Sequence, residues 1–138
     1  YKRTPEFLRK DTQGWRSMNL TKNFKEREFR CKHCGDVFID YRLPQALQKL
    51  RDLVNEPIYI TSGYRCKVHN KNVGGEKDSQ HLLGKAADIY TEKTSIQDLY
   101  KLAETIPEFA NGGIGIYPEK RGGKGILHVD VRGKKARW

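Results

Sequence analysis

Residues 79–88 read Ser79-Gln80-His81-Leu82-Leu83-Gly84-Lys85-Ala86-Ala87-Asp88. Gly84 marks a turn, and the chain from Lys85 to Thr91 reads as a strand. On that strand Ala87 and Ile89 face a core while Asp88 points the other way, because side chains alternate across a strand. The step from His81 to Asp88 does not fit one face of a single strand. It fits a loop histidine folded back through the glycine turn towards a strand carboxylate.

A second strand, Gly125 to Val131, repeats the pattern. If Leu127, Val129 and Val131 are buried together, His128 and Asp130 are presented together on the opposite face. His81, Asp88 and His128 are then two imidazoles and one carboxylate, the ligand set that leaves a zinc ion an open fourth position for water. Zinc so held lowers the pKa of its water towards about 7 and polarises a carbonyl, which is the chemistry of amide hydrolysis. A carboxylate must still take the water's proton. Asp130 is the acid close in sequence to a ligand and on its face, which makes it the candidate base.

The remaining elements give an α+β reading, with a small antiparallel sheet flanked by helices. Leu43, Leu47, Leu50 and Val54 recur at three- and four-residue spacing, so an amphipathic helix is expected over residues 42–55, with Pro44 in its first turn and Pro57 ending it. Ile58 to Ser62 follows as a strand with Ile58 and Ile60 inward. Gly63 to Gly75 reads as a long irregular loop. A second helix is expected from Thr94 to Ile106, with Thr94 and Gln97 as a capping box, Ile96, Leu99, Tyr100, Ala103 and Ile106 as its buried stripe, and Pro107 as its stop. Gly113 to Tyr117 pairs with Gly125 to Val131 as a hairpin. Residues 1–20, with Pro5, Gly14 and Trp15, show no periodicity and read as an arm; residues 21–138 form one domain. Thr21 to Phe29 reads as a short helix anchored by Phe24 and Phe29.

Charge and cysteines bound the function. Lysine and arginine total 27 against 17 acids, a net charge of +10, which favours polyanionic partners without singling out nucleic acid. No apolar run approaches the roughly 20 residues of a membrane span, and no signal peptide is visible. Three cysteines exclude a framework built only of disulfides. Cys31-x-x-Cys34 and Cys66-x-x-His69 have the ligand number and local spacing of a structural zinc site, with reduced thiols or a single cysteine pairing as the alternatives.

Ser79-x-His81-x-x-Gly84-x-Ala86-x-Asp88, followed by His128-x-Asp130, resembles the zinc D-alanyl-D-alanine carboxypeptidase family. That group includes murein endopeptidases, phage endolysin peptidases and the dipeptidases of vancomycin resistance, and it is related to the hedgehog signalling domain. The likeness runs through Thr61-Ser62-Gly63-Tyr64-Arg65, His69-Asn70, Val73-Gly74-Gly75, Gly113 to Pro118 and Arg137-Trp138. It implies a hedgehog-like fold, His81, Asp88 and His128 as zinc ligands, and Arg65 as the residue that holds a substrate carboxylate or polarises the scissile carbonyl. It also implies Ser79 near the metal or substrate and Tyr117 on the substrate. His69 matches a family position that occurs without a neighbouring cysteine, which argues against its serving a structural zinc. Several branches carry the catalytic acid three residues before the last histidine, where this chain has Gly125. Asp130 therefore stands as the base, with Glu76, Asp78 and Glu119 as substitutes.

The expectation is a monomeric zinc metallopeptidase that acts on peptidoglycan peptides at the cell wall by a zinc-activated water. The alternatives are a zinc-loaded, non-catalytic wall- or polymer-binding module, and a nucleic-acid or polymer binder that relies on the cysteine knuckle and basic tail.

Overall fold

Five strands line up in the order β3-β4-β6-β5-β7 in a computed structural model, which describes residues 2–3 and 18–138. Most of the arm, including Pro5, Gly14 and Trp15, lies outside the described residues. A separate two-stranded ribbon pairs β1 (Lys2–Arg3) with β2 (Phe38–Ile39). In the main sheet β3 (Tyr59–Ser62), β4 (Ala86–Tyr90), β6 (Ile126–Asp130) and β5 (Gly113–Tyr117) are mutually antiparallel neighbours. The β3–β4 ladder shifts register between Ile60 and Ser62. The sheet is mostly antiparallel, as expected; only the outer strand β7 (Ala136–Arg137) runs parallel to its neighbour β5 among the described strands. The cause is the exit of β6 beside the start of β5. The chain crosses that end, turns at Gly133 with φ +81°, and runs on in the direction of β5.

Helices cover one face. Helix α1 (Arg42–Val54) buries Leu43, Ala46, Leu47 and Leu50. It ends before Pro57, because Asn55 adopts the left-handed conformation at φ 51° and returns its N–H to the Arg51 carbonyl. A second helix, α3 (Ile96–Ala103), starts later than Thr94: Ser95 is the cap and accepts from the Asp98 N–H at 3.1 Å. Thr94 is engaged elsewhere, giving its hydroxyl to Glu56 at 2.6 Å. Ile96, Leu99, Ala103 and Ile106 are buried as the spacing required, with Tyr100 packed at the margin. Pro107 opens the short helix α4 (Pro107–Ala110), a position its fixed φ suits.

The expected 63–75 loop contains helix α2 (Lys67–Asn72), capped by the Cys66 thiol, which accepts from the His69 N–H at 3.4 Å. Over residues 21–29 the helical structure is one 3₁₀ turn, Glu26–Phe29, shorter than the helix expected there. Phe24 and Phe29 are its anchors, each 1% exposed, with ring centroids 6.5 Å apart. Core packing thus fixes one sheet face, and the opposite face is left to chemistry.

Candidate active site

Two local devices set the three proposed ligands. Asp88 and His128 are direct partners in the β4–β6 register, so their side chains leave the sheet side by side. His81 arrives on a 3₁₀ turn, Gln80–Leu83, capped by the Ser79 hydroxyl, which accepts from the His81 N–H at 3.2 Å. Gly84 ends that turn at φ +69°, and a Cβ there would run into the Phe38 carbonyl. Only glycine gives both the conformation and the close approach.

The ring nitrogens are assigned by their partners. His81 Nδ1 lies 2.7 Å from the Gly63 carbonyl, which can only accept, so Nδ1 carries the proton and Nε2 offers a lone pair. His128 Nε2 lies 2.7 Å from Asp130 Oδ2, which makes Nε2 the donor and leaves Nδ1 the lone pair. Both free nitrogens sit 3.2 Å from the same oxygen, Asp88 Oδ1. Three electron-rich atoms converging in this way require positive charge between or upon them. Burial alone would raise the Asp88 carboxyl, yet the two histidines hold it far below the usual carboxylate range. Burial lowers His128, but its bonds to Asp130 and Asp88 outweigh this and raise it. Protons can fill the gap; so can a metal ion. The spacing matches a metal, since ligands about 2.0–2.1 Å from a tetrahedral zinc stand roughly 3.3 Å apart.

The surrounding groups fix the carboxylates. Arg65 Nη2 donates to Asp88 Oδ2 at 3.0 Å, while its Nε donates to Ser62 Oγ at 3.0 Å and its Nη1 to Asn70 Oδ1 at 3.2 Å. Arg65 therefore occupies one oxygen of Asp88 and leaves the other for the histidines, an engagement additional to the substrate contact expected from sequence, and it lines the cleft. Asp130 is placed differently from a base. It is 0% exposed; Oδ1 accepts from Gly113 N and from Arg132 N and Nε, and Oδ2 accepts from His128 and Arg132 Nη2 at 2.7 Å each. Burial would raise its carboxyl, but His128 and Arg132 hold it far below its ordinary value. A carboxylate so enclosed orients His128 and has no face towards a water in the cleft.

The site floors a cleft of about 530 Å³ lined by Arg65, Glu76, Asp78, Ser79, Tyr117, Arg132 and Trp138, among others. Trp138 packs 4.8 Å from the His128 ring, covers Gly115, and donates its Nε1–H to the Tyr117 hydroxyl at 3.3 Å. A second, apolar hollow lined by Phe38, Tyr64, Leu82 and Leu83 shares Gly75, Lys77, Asp78 and Ser79 with the first. Glu76 and Asp78 thus stand at the cleft, and Glu119 is not among its lining residues. Arg132 carried no signal in the sequence; Gly63 and Trp138 did, through Thr61-Ser62-Gly63-Tyr64-Arg65 and Arg137-Trp138.

Cys31, Cys34 and Cys66 are free thiols whose sulfurs lie within 4.8 Å of one another. Neither the His33 nor the His69 ring is in that three-sulfur group; the His69 backbone N–H serves Cys66. His33 Nδ1 is the imidazole nitrogen at 3.6 Å from Cys66 Sγ.

Two imidazoles and a carboxylate at the floor of an open cleft define a candidate mononuclear metal centre of the hydrolytic type. A family model of Peptidase M15 matches residues 18–130, and the chain belongs to that family. Membership implies a metallopeptidase, and peptidases of this family are zinc-dependent. The donor set here fits that metal. No curated protein matches the chain. Among the described residues no helix is long and apolar enough to cross a membrane.

Proposed function

We propose that the protein is a zinc-dependent D,D-carboxypeptidase or endopeptidase that hydrolyses D-Ala-containing amide bonds in peptidoglycan stem peptides or cross-links. The observation that carries this is the convergence of His81 Nε2, His128 Nδ1 and Asp88 Oδ1 at the floor of an open cleft. Zinc held there supplies Lewis acidity to the scissile carbonyl and acidifies a water. Asp130 and the Gly63 carbonyl hold the two imidazoles in the ligating tautomer, and Arg65 turns Asp88 so that Oδ1 faces them. Glu76 and Asp78 line the cleft and are the carboxylates assigned in this reading to accept the water's proton, with Ser79, Tyr117 and Trp138 as the residues assigned to flank the peptide. A net charge of +10 suits an anionic wall polymer and agrees with an activity at the cell wall.

A second reading has its own observation. Gly125 stands where a catalytic acid is familiar and Asp130 is fully occupied, which favours a zinc-loaded module that binds wall polymer without cutting it. Purified cell walls of several chemistries, incubated with zinc-loaded and chelator-treated protein, separate the two. The peptidase reading expects new muropeptides by mass spectrometry, abolished by chelator and restored by zinc. Sedimentation with the walls and no release from any of them would overturn it in favour of the binding module.

A further inference from the structure

We propose a second metal site, independent of the cleft, in which Cys31, Cys34 and Cys66 thiolates and His33 Nδ1 bind a zinc ion. The three sulfurs already lie within 4.8 Å of one another, although Cys66 comes from a segment 35 positions away from Cys31. His33 Nδ1, which stands outside the three-sulfur group, is 3.6 Å from one of its members, Cys66 Sγ. That is the separation expected, about 3.6 Å, for a nitrogen at ~2.0 Å and a sulfur at ~2.3 Å around one tetrahedral zinc.

Backbone groups around the sulfurs distinguish this from a disulfide pair with a spare thiol. The chain from Cys31 makes a tight turn: Gly35 N donates to the Cys31 carbonyl at 2.9 Å, and Cys31 N to the Asp36 carbonyl at 2.8 Å, with Gly35 at φ +74°. That turn aims the His33 N–H at Cys31 Sγ, and the Cys66 N–H approaches the same sulfur, both at 3.4 Å. The His69 N–H points at Cys66 Sγ, also at 3.4 Å. Amides directed at sulfur stabilise negative charge on it, which two sulfurs of one disulfide do not carry. Thiolates clustered this closely repel one another unless a cation sits among them. The donor set, soft sulfur with one imidazole, selects zinc over the hard divalent ions.

The placement gives the site a task. Cys66 follows Arg65, which holds Asp88, and the same segment contains Gly63, whose carbonyl holds His81. Gly63 is pressed against the Phe29 backbone, and Tyr64 N donates to the Phe29 carbonyl at 2.9 Å. A metal joining residues 31–34 to Cys66 would therefore clip both ends of the segment that positions two of the cleft's three ligands, His81 and Asp88. His33 and the cysteines are positioning residues in this scheme and touch no substrate.

Cobalt substitution tests it with a signal the cleft cannot give, since His81, Asp88 and His128 contain no sulfur. The full chain loaded with Co(II) is expected to show thiolate-to-cobalt charge-transfer absorption, and zinc analysis to find two ions per chain. His81→Ala should keep the charge-transfer band and lose one equivalent. Cys34→Ser, at an exposed position, should abolish or strongly weaken the band while retaining the cleft ion. His33→Ala should lower zinc affinity at the thiolate site by at least tenfold and His69→Ala should not. A cobalt protein without the band, or three thiols freely titratable by a disulfide reagent in zinc-loaded native protein, would overturn the proposal. Undiminished affinity in His33→Ala would overturn the fourth ligand. None of these outcomes depends on peptidase activity, so failure of the cleft reading would be seen separately.

Discussion

Replacing Asp130 by Asn removes a charge while keeping the shape, and the structure dictates what should follow. Asp130 accepts from five groups' worth of donors on its two oxygens: Gly113 N, His128 Nε2, and the backbone N, Nε and Nη2 of Arg132. An amide has one accepting oxygen, so in either orientation its NH₂ faces a donor. If the oxygen stays towards Gly113, the NH₂ meets His128 Nε2, which must become the acceptor; the proton moves to Nδ1 and points at Asp88. If the oxygen turns towards His128, the NH₂ meets the Gly113 and Arg132 backbone N–H groups, and each donor left without an acceptor costs about 1–3 kcal/mol. Loss of such an orienting group costs about 10–100-fold in metal affinity, which is roughly 1.4–2.8 kcal/mol. The measurement is zinc affinity by chelator competition alongside kcat/KM at saturating zinc, for wild type and Asp130→Asn. We expect affinity to fall within that range, with activity largely recovered when zinc is supplied in excess and the imidazole is forced into its ligating form. Unchanged zinc affinity with activity lost more than about 100-fold would refute the tautomer argument and restore Asp130 as the proton acceptor.

Gly84→Ala should destabilise the fold by about 2–4 kcal/mol in urea unfolding, from a left-handed backbone and a Cβ driven into the Phe38 carbonyl; a loss under ~1 kcal/mol would show that the turn relaxes. Asp40 reports on pH: burial alone would raise its carboxyl, but the side-chain and backbone bonds from Arg42 hold it at about 2. A depressed folded value means this stabilisation is complete above the unfolded pKa of about 3.9 and is lost as pH falls through about 2, so Asp40→Asn should remove about 1–2 kcal/mol at pH 6 and nothing near pH 1, as read from chemical denaturation across that range; the half-exposed Arg42 keeps the figure below the full shift.

How much could be read from sequence follows the range of the interactions. The alternation of Leu127, Val129 and Val131 against His128 and Asp130 is a local consequence of strand geometry, and so is the helical spacing from Leu43 to Leu50. These placed Asp88 and His128 on the face opposite the core. Where the outcome depended on distant partners, local pattern misled. Thr94 and Ser95 are both good caps, and the choice between them was made by Glu56, far back in the chain, which takes Thr94. Helix α2 was missed because its cap is a thiol. Asp130 looked like a free acid because Gly113 and Arg132 converge on it only after the sheet forms. Spacing alone pointed to His69 as a fourth ligand beside the cysteines, and spacing counts ligands without showing which way a ring turns.

The register shift in β3 bears on how the molecule behaves at high concentration. An edge strand with an even ladder of unpaired N–H and C=O groups is a template for another chain. One edge of this sheet is the four-residue β3, whose ladder is broken between Ile60 and Ser62; the other is the two-residue β7. Neither edge offers a straight run on which a second copy could continue the sheet. With +10 net charge adding mutual repulsion, the fold should stay dispersed and resist edge-to-edge fibre growth where a flatter sheet of similar size would not.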